Sequence, residues 1–142
     1  MILDLNLLFC EDQAVTATAI STNVIRLQEA GTPHGDAAAL TRNLGAGEHI
    51  PLLIQVTESF NTLTSLTITL ETSDNADLSS STVMASSGAI PLASLLAGFR
   101  PGFTRVLPDG ENQDYLGLRF TVAGTNPTTG KITAALATEV NT

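Results

Sequence analysis

Apolar and polar residues alternate with period two in three separate runs of this chain, and that pattern constrains its fold more than any other feature. In Leu66-Thr67-Ile68-Thr69-Leu70-Glu71-Thr72 the apolar residues fall on one face and the polar ones on the other. Leu116-Gly117-Leu118-Arg119-Phe120-Thr121-Val122 repeats the pattern, and Ile132-Thr133-Ala134-Ala135-Leu136-Ala137-Thr138 follows it more weakly. Successive strand side chains point to opposite faces, so each run predicts a strand with one buried and one open side. Leu52-Leu53-Ile54-Gln55-Val56-Thr57 reads as a more deeply buried strand. Ile20 to Leu27, Leu40 to Leu44, Thr82 to Ser86 and Phe103 to Leu107 are shorter candidates.

Turn chemistry separates these runs. Gly31-Thr32-Pro33-His34-Gly35-Asp36, Gly45-Ala46-Gly47, Ser73-Asp74-Asn75-Ala76-Asp77, Pro108-Asp109-Gly110 and Thr125-Asn126-Pro127 combine Gly, Pro and Asx residues. Gly supplies positive φ, Pro fixes φ, and Asx side chains bond their own backbone. Seven or eight short strands punctuated in this way predict an all-β, antiparallel β-sandwich. A second cysteine and a tryptophan, the marks of an immunoglobulin domain, are missing, which favours a jelly roll. Only two stretches have helical character. Ala37 to Leu40 is too short to stand alone. Pro91 to Gly98, with proline at its start and glycine at its exit, fits one or two turns. The length of 142 residues suits a single domain spanning 1–142.

Composition narrows the function. Charged residues are 14% of the chain, against about 25% in a typical globular protein. Thr, Ser, Ala and Gly take their place, and a surface of such residues is cheap to desolvate against a partner. The net charge is −8, with one lysine, Lys131, and five arginines. Such a surface repels phosphate backbones and anionic lipid, so neither nucleic acid nor membrane is an expected partner. No apolar run approaches the roughly 20 residues of a membrane span. Cys10 is the single cysteine and reads as a small buried hydrophobe. Its neighbours Leu7-Leu8-Phe9 make a poor lipoprotein signal, because Phe9 is bulky and Asp4 replaces a basic start. A soluble chain, made inside the cell and unprocessed, is expected.

The motifs that carry chemistry are weak. Gly124-Thr125-Asn126-Pro127-Thr128-Thr129-Gly130-Lys131-Ile132 misses the phosphate-loop spacing by one residue and has Ile132 where a hydroxyl is required, so a β-hairpin turn is the expectation. The acidic loops Asp74-Asn75-Ala76-Asp77 and Asp109-Gly110-Glu111-Asn112-Gln113-Asp114 match no EF-hand spacing and read as solvated turns, the second being the better calcium candidate. His34 and His49 stand outside any nucleophile or metal motif, and Ser86-Ser87-Gly88 is not a nucleophile elbow. No catalytic residue, metal or cofactor is expected.

The order of segments resembles a known family. Gln13-Ala14-Val15-Thr16-Ala17-Thr18-Ala19-Ile20-Ser21-Thr22-Asn23-Val24-Ile25 looks like the opening of the small jelly-roll capsid cement proteins of Bordetella-type podophages. Leu70-Glu71-Thr72-Ser73-Asp74-Asn75, Gly88 to Gly98, Tyr115 to Val122 and Gly130 to Ala134 resemble its later segments in order. The resemblance implies a structural virion protein on the outer capsid surface, between major capsid protein subunits. It would be made in the host cytoplasm and would stabilise the shell, commonly as a symmetric homo-oligomer, dimer or trimer.

Two places suit docking. Residues 1–12 form either an extended arm or the first strand, with Leu5, Leu7, Leu8 and Phe9 available to bury. In Gly98-Phe99-Arg100-Pro101-Gly102-Phe103, the residues Phe99, Arg100 and Phe103 give either an interface or an internal corner of the sandwich. The loop from Glu29 to Ala37 is expected to project. A lectin-like carbohydrate-binding sandwich, possibly calcium-assisted, is the alternative; it would use Tyr115 or a phenylalanine as a stacking platform.

Overall fold

The computed structural model describes residues 3–27, 31–40, 50–101 and 113–137. Its strands are β1 (Leu3–Ala14), β2 (Ala19–Ile20), β3 (Ile25–Arg26), β4 (Leu52–Glu58), β5 (Leu63–Ser73), β6 (Thr82–Pro91), β7 (Tyr115–Gly124) and β8 (Lys131–Ala137). They form two antiparallel sheets. One has the order β1-β8-β4, the other β2-β7-β5-β6 with β3 also on β7. The first strand thus pairs with the last, and the second and third pair with the next to last. This nested order is the jelly-roll arrangement that the alternating runs and turn punctuation predict. The candidates at Leu40 to Leu44 and Phe103 to Leu107 lie outside the described residues, except for Leu40, which is exposed.

The alternating positions meet between the sheets. Leu66, Ile68 and Leu70 of β5 and Leu118 and Phe120 of β7 face Ile54 and Val56 of β4 and Ile132 and Ala134 of β8, all buried in one cluster. Leu53 and Ala135, of opposite parity, are also buried. β4 is therefore covered on both faces, as its unbroken apolar run requires. Each fully buried Leu, Ile or Phe contributes about 1.5–3 kcal/mol relative to exposure. Cys10 lies in the same core, where desolvation pushes its thiol up to about 12. At that value the thiolate is scarce at neutral pH, which leaves the group inert.

β2 and β3 are two pieces of one interrupted strand along β7. Ser21 bridges the gap: its backbone N–H donates to Leu118 O at 2.8 Å, and its buried hydroxyl accepts from Leu118 N–H at 3.2 Å. The hydroxyl replaces a carbonyl that the break in the ladder removes. Pro91 to Gly98 holds one turn of 3₁₀ helix, Leu92–Ser94, and Gly98 leaves it at φ 92°.

One expectation fails at the β7–β8 loop. It is not a hairpin, because β7 and β8 belong to different sheets and the loop crosses the sandwich. It is held by the other crossing loop at that end, between β4 and β5. Asn61 Oδ1 accepts from the Thr128 and Thr129 N–H groups at 2.8 and 3.1 Å, and its amide donates to Thr128 Oγ1 at 2.8 Å. Gly130, at φ 129°, closes the arch, and a Cβ there would overlap the Phe60 ring. Asn61→Ala removes all three of these bonds between the loops at once, and the expected loss is about 1–3 kcal/mol of unfolding free energy, measured by denaturant titration.

Candidate functional site

The N-terminal strand departs from the regular pattern. β1 pairs with β8 at Leu3↔Ala137, Leu8↔Ala135 and Cys10↔Ala134, with register shifts between successive pairs. A bulge places two residues of one strand opposite one of its partner, so side-chain parity breaks. Phe9 and Cys10 are consecutive, yet both are buried. Leu3, Leu5 and Leu7, of the same parity as Phe9, are 43%, 79% and 39% exposed. Residues 3–14 are therefore the first strand, the second of the two readings offered by the sequence. Phe9 is corrected from docking residue to core residue, at 0% exposure.

Two depressions flank this strand. One of about 210 Å³ is lined by Leu3, Asp4, Leu5, Leu8, Glu11 and Thr133. The other, about 670 Å³, opens towards the β2–β3 segment and shares Leu5, Leu8 and Glu11 with the first. These three residues form the ridge between them. The far wall is fixed by Asn23, whose amide donates to Leu8 O at 2.7 Å and whose backbone N–H donates to Phe9 O at 2.9 Å. Gln13 adds a second tie, donating to Ile20 O and accepting from Thr22 N–H, both at 2.9 Å. The leucines thus project from a strand that is anchored at its C-terminal half.

The second sequence candidate has a different character. Phe99 is half-buried against the core, and its carbonyl accepts from Val56 N–H at 2.9 Å while Gly98 N–H donates to Val56 O at 2.7 Å. This is the internal corner, tied to β4 by its backbone. Arg100 is exposed and Pro101 is buried, while Phe103 lies outside the described residues. The segment Gly31–Leu40, including His34, is exposed throughout; His49 lies outside the described residues. Tyr115 is half-buried at the start of β7, paired with Arg26 and Ser73.

A polar cluster on the outer face of the larger sheet escaped sequence reading. Glu71 is buried, and its carboxylate accepts from Arg119 Nε at 3.1 and 3.0 Å, from Thr69 Oγ1 at 2.7 Å and from Ser81 Oγ at 2.7 Å. Arg119 also donates to Leu78 O at 3.0 Å. The loop 74–81 folds back over the sheet, and buried Leu78 fills the space that a side chain at Gly117 would need. Asp77 is exposed, and hydrogen bonding from the Ser79 side chain, together with its N–H at 2.9 Å, lowers its pKa. The only signal in the sequence was two opposite charges at polar positions of neighbouring strands. Among the described residues, no group of three His, Cys, Asp or Glu comes together to hold a metal. The acidic loop at 109–112 lies outside the described residues.

The described residues thus form a jelly-roll sandwich whose Glu71–Arg119 ion pair serves its own loop and whose Leu3, Leu5 and Leu7 are exposed on β1. Its sequence matches the Bbp16 family over residues 9–136, and the chain belongs to that family, a Bordetella bacteriophage protein family. No curated protein matches it.

Burial would raise the Glu71 pKa, but hydrogen bonds from Ser81, Thr69 and Arg119 and the guanidinium charge bring it below the ordinary value of 4.5. Folding lowers this pKa. Its contribution is therefore complete above pH 4.5 and is lost as pH falls through the folded-state value. Glu71→Gln is expected to cost about 1–3 kcal/mol at pH 7 and to flatten the acid limb of a stability–pH curve. Denaturant midpoints at successive pH values check both effects.

Proposed function

We propose that this chain is a structural virion protein. It docks on the outer surface of the phage capsid between major capsid protein subunits and stabilises the shell, without a catalytic step of its own. Membership of a bacteriophage family supports the virion setting. The observation that carries the docking role is that three of the six exposed large apolar side chains among the described residues, Leu3, Leu5 and Leu7, fall on one stretch of β1, while the others, Leu40, Val83 and Leu96, are scattered over separate segments. Contiguous exposed apolar surface on a small protein marks an interaction site.

The energetics fit a cement role. Covering one exposed leucine contributes about 1.5–3 kcal/mol, so a single copy binds modestly. Many copies, each spanning several capsid subunits, share the load. The reading includes a symmetric homo-oligomer, which multiplies the docking surfaces per particle, and it excludes nucleic acid and membrane as partners of so acidic a chain.

The test is co-sedimentation of the pure protein with expanded capsids of its phage, together with the temperature at which the shells break. Wild type is expected to co-sediment and to raise that temperature. Leu5→Ser with Leu7→Ser is expected to abolish both effects while changing the unfolding free energy of the free protein by no more than about 0.5 kcal/mol per site. Wild type that neither sediments nor stabilises contradicts the proposal. Reproducible binding on a glycan array would favour a lectin-like module instead.

A further inference from the structure

The β1 face carries information about its partner as well as its place. Its smaller groove has an apolar floor of Leu3, Leu5 and Leu8, and its two charged lining residues are Asp4 and Glu11, both acidic. Both carboxylates are on exposed residues, beside leucines that any partner must cover. A partner covering them with purely apolar groups would strip water from two carboxylates without replacing it. A second copy of this chain is a poor occupant, since it carries 14 acidic and six basic residues and net charge −8. Few basic groups are thus available on a copy to meet Asp4 and Glu11, which leaves self-association to other faces of the chain.

Strand addition is also disfavoured. The Asn6 N–H is already occupied by Asp4 Oδ1 at 2.8 Å, and the Leu8 and Phe9 carbonyls by Asn23. Recognition at this edge therefore falls to side chains. We propose that the smaller β1 groove, whose charged lining is wholly acidic where the larger groove also has Arg26, takes a segment of another protein in which apolar side chains are flanked by lysine or arginine. The apolar groups would enter beside Leu5 and Leu8 while the cations reach Asp4 and Glu11. The inference rests on β1 being the docking face, but not on the partner being a capsid.

The experiment is selection of a random linear peptide library on the immobilised full-length protein, with the same selection on the Asp4→Asn, Glu11→Gln double variant and on Leu5→Ser. Enriched peptides are expected to combine apolar residues with lysine or arginine. Their affinity is expected to fall about tenfold in the double variant, as two charge pairs are lost, and to weaken with added salt. Leu5→Ser is expected to weaken the same peptides. Enrichment of neutral or acidic peptides, indifference to both variants, or no enrichment would overturn the inference. Cationic selection by a protein that ignores capsids would leave the inference standing and remove the capsid reading; capsid binding without cationic selection would do the reverse.

Discussion

β8 lies between β1 and β4 and supplies ladder hydrogen bonds to both. The smaller sheet therefore depends on residues 131–137 reaching strands that begin near residue 3 and near residue 52. Loop closure over such separations is entropically costly and is repaid only when the sheets pack. The core cluster and the arch of Asn61 with Thr128 and Thr129 belong to the same closure, because both crossing loops must meet for the sheets to face each other.

That closure also bears on the docking proposed for β1. Its C-terminal half is fixed on two sides, by β8 and by the Gln13 and Asn23 bonds, and buries Phe9 and Cys10. Its N-terminal half is irregular against β8, with a wide register shift between Leu3 and Leu8. Rigid anchoring and outward leucines on one strand give a presented surface with little ordering cost on binding. The opposite edge is different. β6 has no charged residue, but two register shifts against β5 and the terminal Pro91 disrupt it as a template for pairing.

Much of the fold was legible in the sequence, because burial on one face imposes period two. β5, β7 and β8 were read from alternation, and β4 from its unbroken apolar run. The Pro91 and Gly98 signals pointed to the 3₁₀ turn at Leu92–Ser94. What alternation cannot encode is a bulge. The shift between Leu8 and Cys10 buries neighbours together and separates Phe9 from Leu5 and Leu7, so the docking list mixed core and surface. Nor does a turn-rich segment reveal which strands it joins, and the β7–β8 crossing was read as a hairpin for that reason. The Glu71–Arg119 pair was hidden because polar residues on an outer strand face read as solvated. Only the folded loop carrying Leu78 makes that face an interior.

In the proposed role, the outward half of β1 is the contact made in the virion. Amide hydrogen exchange of the chain, free and bound to expanded heads, tests it most directly. Added protection concentrated on the backbone amides of residues 3–8 is the predicted result. Protection confined to β6 or to the loop 74–81, with residues 3–8 exchanging as fast as in the free protein, would contradict it.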